Sequence, residues 1–265
     1  MHARPPSFVV AAAFVSLIIT SASHAQTNAP TADAADANDS DPTRPILFSI
    51  RPEIYKPNDD VTQAALIFRY DRAMLARRRW LPGRRGVIVR AELPMLRTQT
   101  DGGNAEAGIG DAYAQMLLVL YRKQSFAVVG GTGVIIPTAS GDRLGSGKWV
   151  LAPAAAPVWF FRGHGMAFVK FHNFMSVAGD DRRPDANFLL ITPTIIRTFS
   201  GRWWMLADSE AKTDWNEGGH TSAKSGLQLG KAVGQRFALW IKPEVWWGAD
   251  PHGRWNMKFG LVWHR

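Results

Sequence analysis

Three sets of residues in this chain could do chemistry, and the first is His172 with Ser176. They lie four apart in the run FHNFMS, with Asn173 beside the histidine. A histidine and a serine suggest a base and its nucleophile. On an extended strand, positions four apart share a face but stand about 13 Å from each other. A direct hydrogen bond is out of reach, so a neighbouring strand would have to supply the serine. The other mature histidines, His164, His220, His252 and His264, fall in turns, loops or the terminus, at spacings that match no metal site. The chain has no cysteine, which excludes a disulfide framework and thiolate-ligated metal.

The second set is Gly145–Trp149, GSGKW, which has the look of the end of a phosphate-binding loop. The first glycine is missing at the required offset, and Trp149 stands where a serine or threonine belongs. It reads as an external loop running back into a strand. No enzyme, no cofactor and no bound metal is expected.

The third set is charge. Arg69, Arg90, Lys170, Lys224, Lys242 and Lys258 share a face with Asp71, Glu92, Asp111, Asp208, Glu210 and Glu244. Equal numbers of the two signs imply cross-strand pairs rather than a field that selects one ion. Two readings fit: the lining of a narrow pore, or a salt-bridged plug that holds the interior shut.

These residues need extended elements to position them. Gly110–Tyr121 and Phe126–Pro137 are apolar runs joined by only Arg122-Lys123-Gln124-Ser125, and a longer polar loop, 138–148, follows. A tight turn at one end and a long loop at the other mark a hairpin of a membrane β-barrel. The pattern recurs. Twelve strands are expected: Ile46–Tyr55, Val61–Met74, Val87–Met95, the two above, Trp149–Phe161, Met166–Val177, Phe188–Thr198, Trp203–Ala211, Ala223–Ala232, Phe237–Trp247 and Trp255–Trp263. Four connections of three or four residues alternate with loops two to three times longer. An even count puts both termini on the periplasmic side.

Alternation with period two supports the assignment. Phe237, Leu239, Ile241, Val245 and Trp247 lie on one face, with Ala238, Lys242 and Glu244 on the other. Trp255, Met257, Phe259, Leu261 and Trp263 alternate with Asn256, Lys258 and Gly260. Lipid outside and a polar interior demand this pattern, although a soluble barrel would simply invert it. Six of the eleven tryptophans, Trp149, Trp159, Trp203, Trp247, Trp255 and Trp263, sit at strand ends, where aromatic girdles form at membrane interfaces. Pro153, Pro157, Pro193 and Pro243 fall inside expected strands and read as bulges or strand ends.

The address agrees. Residues 1–25 read as a signal peptide, with Arg4, the apolar stretch Phe8–Ile19 and the cleavage site Ser23-His24-Ala25. Residues 26–45 carry no apolar period and read as a disordered periplasmic leader. Residues 46–265 then form one barrel domain. After residue 45 no apolar run reaches the roughly 18 residues of a membrane helix, so any membrane crossing uses a closed sheet. The net charge is +9. Its clusters, Arg77-Arg78-Arg79 and Arg84-Arg85, suit a solvated turn or anionic lipid and lipopolysaccharide phosphates; an exported chain meets no nucleic acid.

Gly108-Ile109-Gly110-Asp111, the Gly130–Gly133 run, Pro137-Thr138 and Leu144–Trp149 together resemble the outer-membrane "MetA-pathway of phenol degradation" barrels. The resemblance is clearest over Gly108 to Phe161. It implies a transporter-like barrel in a Gram-negative outer membrane, with passage of small hydrophobic or aromatic compounds. It brings no catalytic or ligand residues. The chain departs from such barrels at its end, where His264 and Arg265 follow Trp263, which bears on recognition by the barrel-assembly machinery. The expectation is a narrow channel for small hydrophobic compounds. A non-transporting structural or surface barrel is the alternative, and a membrane-embedded lipid hydrolase the third reading.

Overall fold

A computed structural model describes residues 46–58, 60–76, 85–100, 103, 105–162, 165–248 and 253–264. The expected signal peptide and leader lie outside the described residues, as do Arg77-Arg78-Arg79, Arg84, His164, His252 and Arg265. Strands are β1 (Ile46–Asn58), β2 (Val61–Ala76), β3 (Arg85–Thr100), β4 (Glu106–Ile109), β5 (Ala112–Arg122), β6 (Phe126–Ile136), β7 (Lys148–Phe161) and β8 (Gly165–Gly179). They continue with β9 (Asn187–Phe199), β10 (Trp203–Asp214), β11 (His220–Val233), β12 (Phe237–Trp247) and β13 (Trp255–His264). Both β4 and β5 pair with β3, on either side of a break at Gly110-Asp111, so they share one place in the wall. The wall therefore has twelve positions. Neighbouring positions in the wall run antiparallel, and β1 pairs with β13 to close the sheet. The protein is a transmembrane up-and-down β-barrel.

Which face is inside is now decided. Lys242, Lys258, Gln228 and His172 are 0% exposed, whereas Leu239, Leu227 and Val245 on the alternate positions are 51%, 50% and 56% exposed. Water would strip such a surface of its stability, because apolar area left exposed forfeits about 25 cal/mol per Å². Hydrocarbon outside makes the same surface favourable. The soluble reading, with apolar residues turned inward, fails on this pattern.

Closure depends on β1, which runs thirteen residues and pairs on both edges. The expected Ile46–Tyr55 strand stopped three residues short. The alternation of short and long connections breaks at this hairpin. Only residues 59–60 separate β1 from β2 at the loop end, while 77–84 separate β2 from β3 at the turn end. The rule holds from β5 onward.

The prolines correct a second expectation. They mark neither bulges nor strand ends. The β7–β8 ladder pairs Leu151 with Met175 and Ala154 with His172, in one register on both sides of Pro153. A similar gap brackets Pro157, and others bracket Pro193 between β9 and β10 and Pro243 between β11 and β12. Each antiparallel residue bonds only one neighbour, so a proline interrupts one ladder and leaves the other intact. His220 and His264 also belong to strands rather than to a loop or a loose terminus. The His264 N–H donates to Arg236 O at 2.8 Å, and its side chain is buried.

The interior is stacked in layers. At the turn end, Trp204, Ala232, Ala238, Trp240 and Val262 pack together, next to Phe168, Ile196 and Leu206. Charged residues fill the middle. Toward the loop end, Tyr113, Ile135, Val150, Ala152, Phe174, Phe188 and Leu190 form an apolar wall on β5–β9. Large inward side chains lie over glycines of the adjoining strand. A Cβ on Gly133 would strike the Tyr113 ring, and one on Gly226 would strike Lys242.

The two ends differ enough to test orientation in a chain without cysteine. Cysteine at Asp181 or Asn216 should react with a membrane-impermeant thiol reagent in intact cells. Cysteine at Gly201 or Gly234 should react only after the outer membrane is broken. Equal labelling at all four positions would overturn the assignment of the loop end to the outside.

Candidate functional site in the barrel interior

The charged layer is built from a local pattern, a basic residue two before an acidic one on the same strand. Arg69-Tyr-Asp71 and Arg90-Ala-Glu92 run in opposite directions on β2 and β3, so Arg69 faces Glu92 and Asp71 faces Arg90. A checkerboard results. Arg69 Nε donates to Asp71 Oδ2 at 2.6 Å and Arg90 Nε to Asp71 Oδ1 at 2.8 Å. Both guanidinium groups also approach Glu92 Oε1, at 3.8 and 3.9 Å. All four residues are buried.

A second network crosses the far wall. Lys242 on β12 bonds Asp208 on β10 at 2.7 Å, passing over Gly226 of β11. It also meets Glu244 at 2.9 Å, and Glu244 meets Lys258 of β13 at 3.1 Å. Asn256 Nδ2 donates to the same carboxylate at 3.1 Å. Lys224 pairs with Glu210 at 3.3 Å. Lys170 is buried on β8, and Asp208 is half-buried.

Sequence reasoning missed four buried charged residues among those described. Arg51 and Glu53 on β1 form an ion pair, Lys148, the first residue of β7, bonds Asp185 at 2.8 Å, and Asp214, the last residue of β10, pairs with Lys212 at 3.1 Å. The signal for the first two was present. Arg51-Pro-Glu53 repeats the basic-x-acidic spacing of 69–71, 90–92 and 242–244.

Asp111 does a different job from the other acids. It sits at the break between β4 and β5 and holds the connection from β6 to β7. Ser146 donates to Asp111 Oδ2 through its N–H at 2.6 Å and its hydroxyl at 2.8 Å, and Ala139 N–H donates to Oδ1 at 3.2 Å. Thr138 bridges Gly110 O and Ala112 N–H, both at 2.9 Å. Leu144 is buried with its side chain close over Gly108 and its carbonyl oxygen close over Gly110, where an added Cβ would crowd it. The next loop joins in. Arg183 donates to Asp142 O and Oδ1 at 2.7 Å each, and Asp180 N–H donates to Gly147 O at 3.0 Å. GSGKW is part of this latch, and no phosphate cradle is formed.

The histidine–serine pair is separated. His172 Nε2 lies 3.4 Å from Tyr113 Oη, and its ring packs on Phe174 with centroids 4.2 Å apart. Ser176 Oγ accepts instead from Ala186 N–H at 2.8 Å. No nucleophile–base dyad exists between them. The six strand-end tryptophans all point outward, between 39% and 43% exposed. Trp149, Trp247 and Trp255 lie at the loop end, and Trp159, Trp203 and Trp263 at the turn end. Trp263 packs on Phe237, with centroids 4.4 Å apart.

Solved structures share this barrel fold. An outer-membrane channel from Pseudomonas putida F1 superposes with a TM-score of 0.69 at 11% identity, covering 85% of this chain and 97% of that one. The NanC porin gives 0.55 at 9% identity, over 82% and 100%. The KdgM porin gives 0.52 at 9%, over 82% and 98%. No family model and no curated protein matches the sequence. The class is therefore fixed at the level of fold: this chain has the fold of outer-membrane porin and channel barrels.

The latch makes a direct prediction. Asp111→Ala removes charge-assisted hydrogen bonds worth about 1.5–3 kcal/mol each. Trypsin cleavage after Arg143 in intact cells should then quicken by roughly tenfold or more, since cleavage follows local opening. Unchanged cleavage would show that the loop is held by something else.

Proposed function

We propose that this protein is an outer-membrane channel that passes small hydrophobic or aromatic compounds by a narrow route. One observation carries the reading: the interior has two unlike walls. On β1–β3 and β10–β13, charges neutralise one another in pairs, leaving no strong field for either sign of ion. On β5–β9, apolar side chains gather near the mouth, at Phe188 and Phe174, and near the turn end, at Phe168 and Ile196, with Lys170, His172, Thr192 and Thr194 buried between them. A path for salts or sugars has little use for such a wall. A compound with an aromatic body gains from each of the two patches. The channel-barrel fold supports the reading, and so does the resemblance of the Gly108–Trp149 motifs to phenol-degradation barrels. Export to the outer membrane, contact with its lipids and lipopolysaccharide, and insertion by the barrel-assembly machinery belong to the same proposal.

A second reading has its own support. Lys242, Lys258, Gln228 and His172 are fully buried, as expected of a barrel filled for rigidity with no transport role.

Conductance separates the two. Wild-type protein in planar bilayers should conduct weakly, and cells should admit aromatic compounds faster than a deletion strain. Replacing Lys242 and Glu244 together by Ser leaves Asp208 and Lys258, still neutral overall, and should raise conductance with little loss of stability. Lys242→Ser alone removes the buried cation that joins Asp208 to Glu244 and should cost about 3–5 kcal/mol, read as a lower temperature for loss of heat-modifiable migration in SDS. A wild type that neither conducts nor speeds uptake would favour the structural barrel.

A further inference from the structure

Charge is sorted along the barrel axis as well as across it. Ion pairs neutralise the loop end, where Arg182 meets Asp180 at 3.1 Å, Arg183 meets Asp142 at 2.7 Å and Lys148 meets Asp185 at 2.8 Å. The turn end has nothing comparable. Arg122, Lys123, Arg162, Arg202 and Arg236 are exposed in or beside its connections, and no Asp or Glu lies there among the described residues.

Two further cations stand on the outer wall, where lipid is the solvent. The outward row on β9 is Ile195, Arg197 and Phe199, and on β11 it is Leu227, Leu229, Lys231 and Val233. Between them on β10, Trp203 pairs with Lys231 and Met205 pairs with Arg197. Lys231 is thus level with a girdle tryptophan, and its Nζ stands 4.7 Å from the centre of the Trp203 ring. Arg197 lies deeper in the wall than Phe199, with its stem over Gly165 of β8, where an added Cβ would meet it. A cation facing hydrocarbon is unfavourable, and more so with depth. No outward-facing acid on β8–β12 offsets these two.

Arg202 adds a third cation in an unusual backbone setting. It has φ 65°, the one non-glycine residue with positive φ among those described, in a tight turn that glycine or asparagine would fill without strain. Its guanidinium donates to Gly234 O at 2.6 Å, which holds it at the β11–β12 turn just beyond Lys231.

We infer that Arg197, Arg202 and Lys231, grouped around Trp203, bind the headgroup phosphate of an anionic glycerophospholipid in the periplasmic leaflet. The acyl chains lie along Ile195, Met205 and Leu229, all exposed in the same rows. Guanidinium groups take phosphate oxygens through paired N–H donors, and Trp203 sits at headgroup level. Lipopolysaccharide faces the loop end, where carboxylates already meet the cations. The inference rests on the outer-membrane placement and orientation of the barrel, and conduction is not required for it.

The test measures lipid retained on the full-length mature protein by native mass spectrometry from zwitterionic-detergent micelles. The protein is first incubated with equimolar phosphatidylglycerol and phosphatidylcholine. Wild type should retain phosphatidylglycerol over phosphatidylcholine by roughly tenfold. R202Q/K231Q should bring that ratio to about one. K231Q alone should lower it by roughly three- to fivefold, which serves if the double variant loses heat-modifiable migration in SDS. R122Q/K123Q removes the same charge from the β5–β6 turn, nearly opposite β10 in the wall, and should leave the ratio unchanged. Equal losses in the two double variants would mean diffuse attraction to a basic rim, and no preference in wild type would mean solvated cations. Either result overturns the inference. Labelling of cysteine at Gly201 or Gly234 in intact cells would put the site in the lipopolysaccharide leaflet and overturn it as well. Planar-bilayer conductance keeps the two proposals apart. Lipid preference without conductance would remove the channel and leave the site, whereas conductance without preference would do the reverse.

Discussion

A sheet in hydrocarbon has no water to satisfy its edges, and an unpaired backbone group there costs several kcal/mol. The pairing of β1 with β13 is the contact that meets this constraint, and the rest of the molecule depends on it. It joins residues near the two ends of the described chain, so no local segment can close early. Pro52 lies inside that seam, between the pairs Ile50–Leu261 and Glu53–Lys258, and the register holds across it.

Closure creates an inside, and alternation then forces every second residue into it. Twelve strands enclose too little space for a wide channel, yet too much for small residues alone to fill. The chain fills it with long charged side chains and aromatic rings. Long charges reach across a neighbouring strand when that strand carries glycine, as Lys242 does over Gly226 to reach Asp208. Burying charge is costly unless each charge has a partner. The checkerboard of Arg69, Asp71, Arg90 and Glu92 meets that need with residues only two apart on two paired strands. The same economy explains why these interior charges are balanced while the chain as a whole is basic.

The mouth follows a different logic. A loop of eleven residues between β6 and β7 would be free to sample many conformations. Asp111, placed at a break in the opposing strand, supplies a carboxylate for three of its donors, and Leu144 anchors it over two glycines. The break at Gly110-Asp111 therefore has a use. It places an inward-facing carboxylate within reach of the loop.

Much of the architecture was legible in the chain itself. Period two, the spacing of tight turns and the placement of tryptophans determined a twelve-position barrel and nearly every strand, because these signals are local and repeat many times. The position of each charge on its strand followed from the same alternation. Three things waited for the tertiary structure. Alternation is symmetrical, so it could not say which face was inside; the exposure of Leu239 and Val245 against burial of Lys242 decided that. Prolines looked like interruptions, because one strand read alone does not show that its other ladder survives. The separate role of Asp111 and the placing of Arg197 and Lys231 beside β10 depend on register between strands. Register is set by closure of the whole sheet, and no single stretch of sequence contains it.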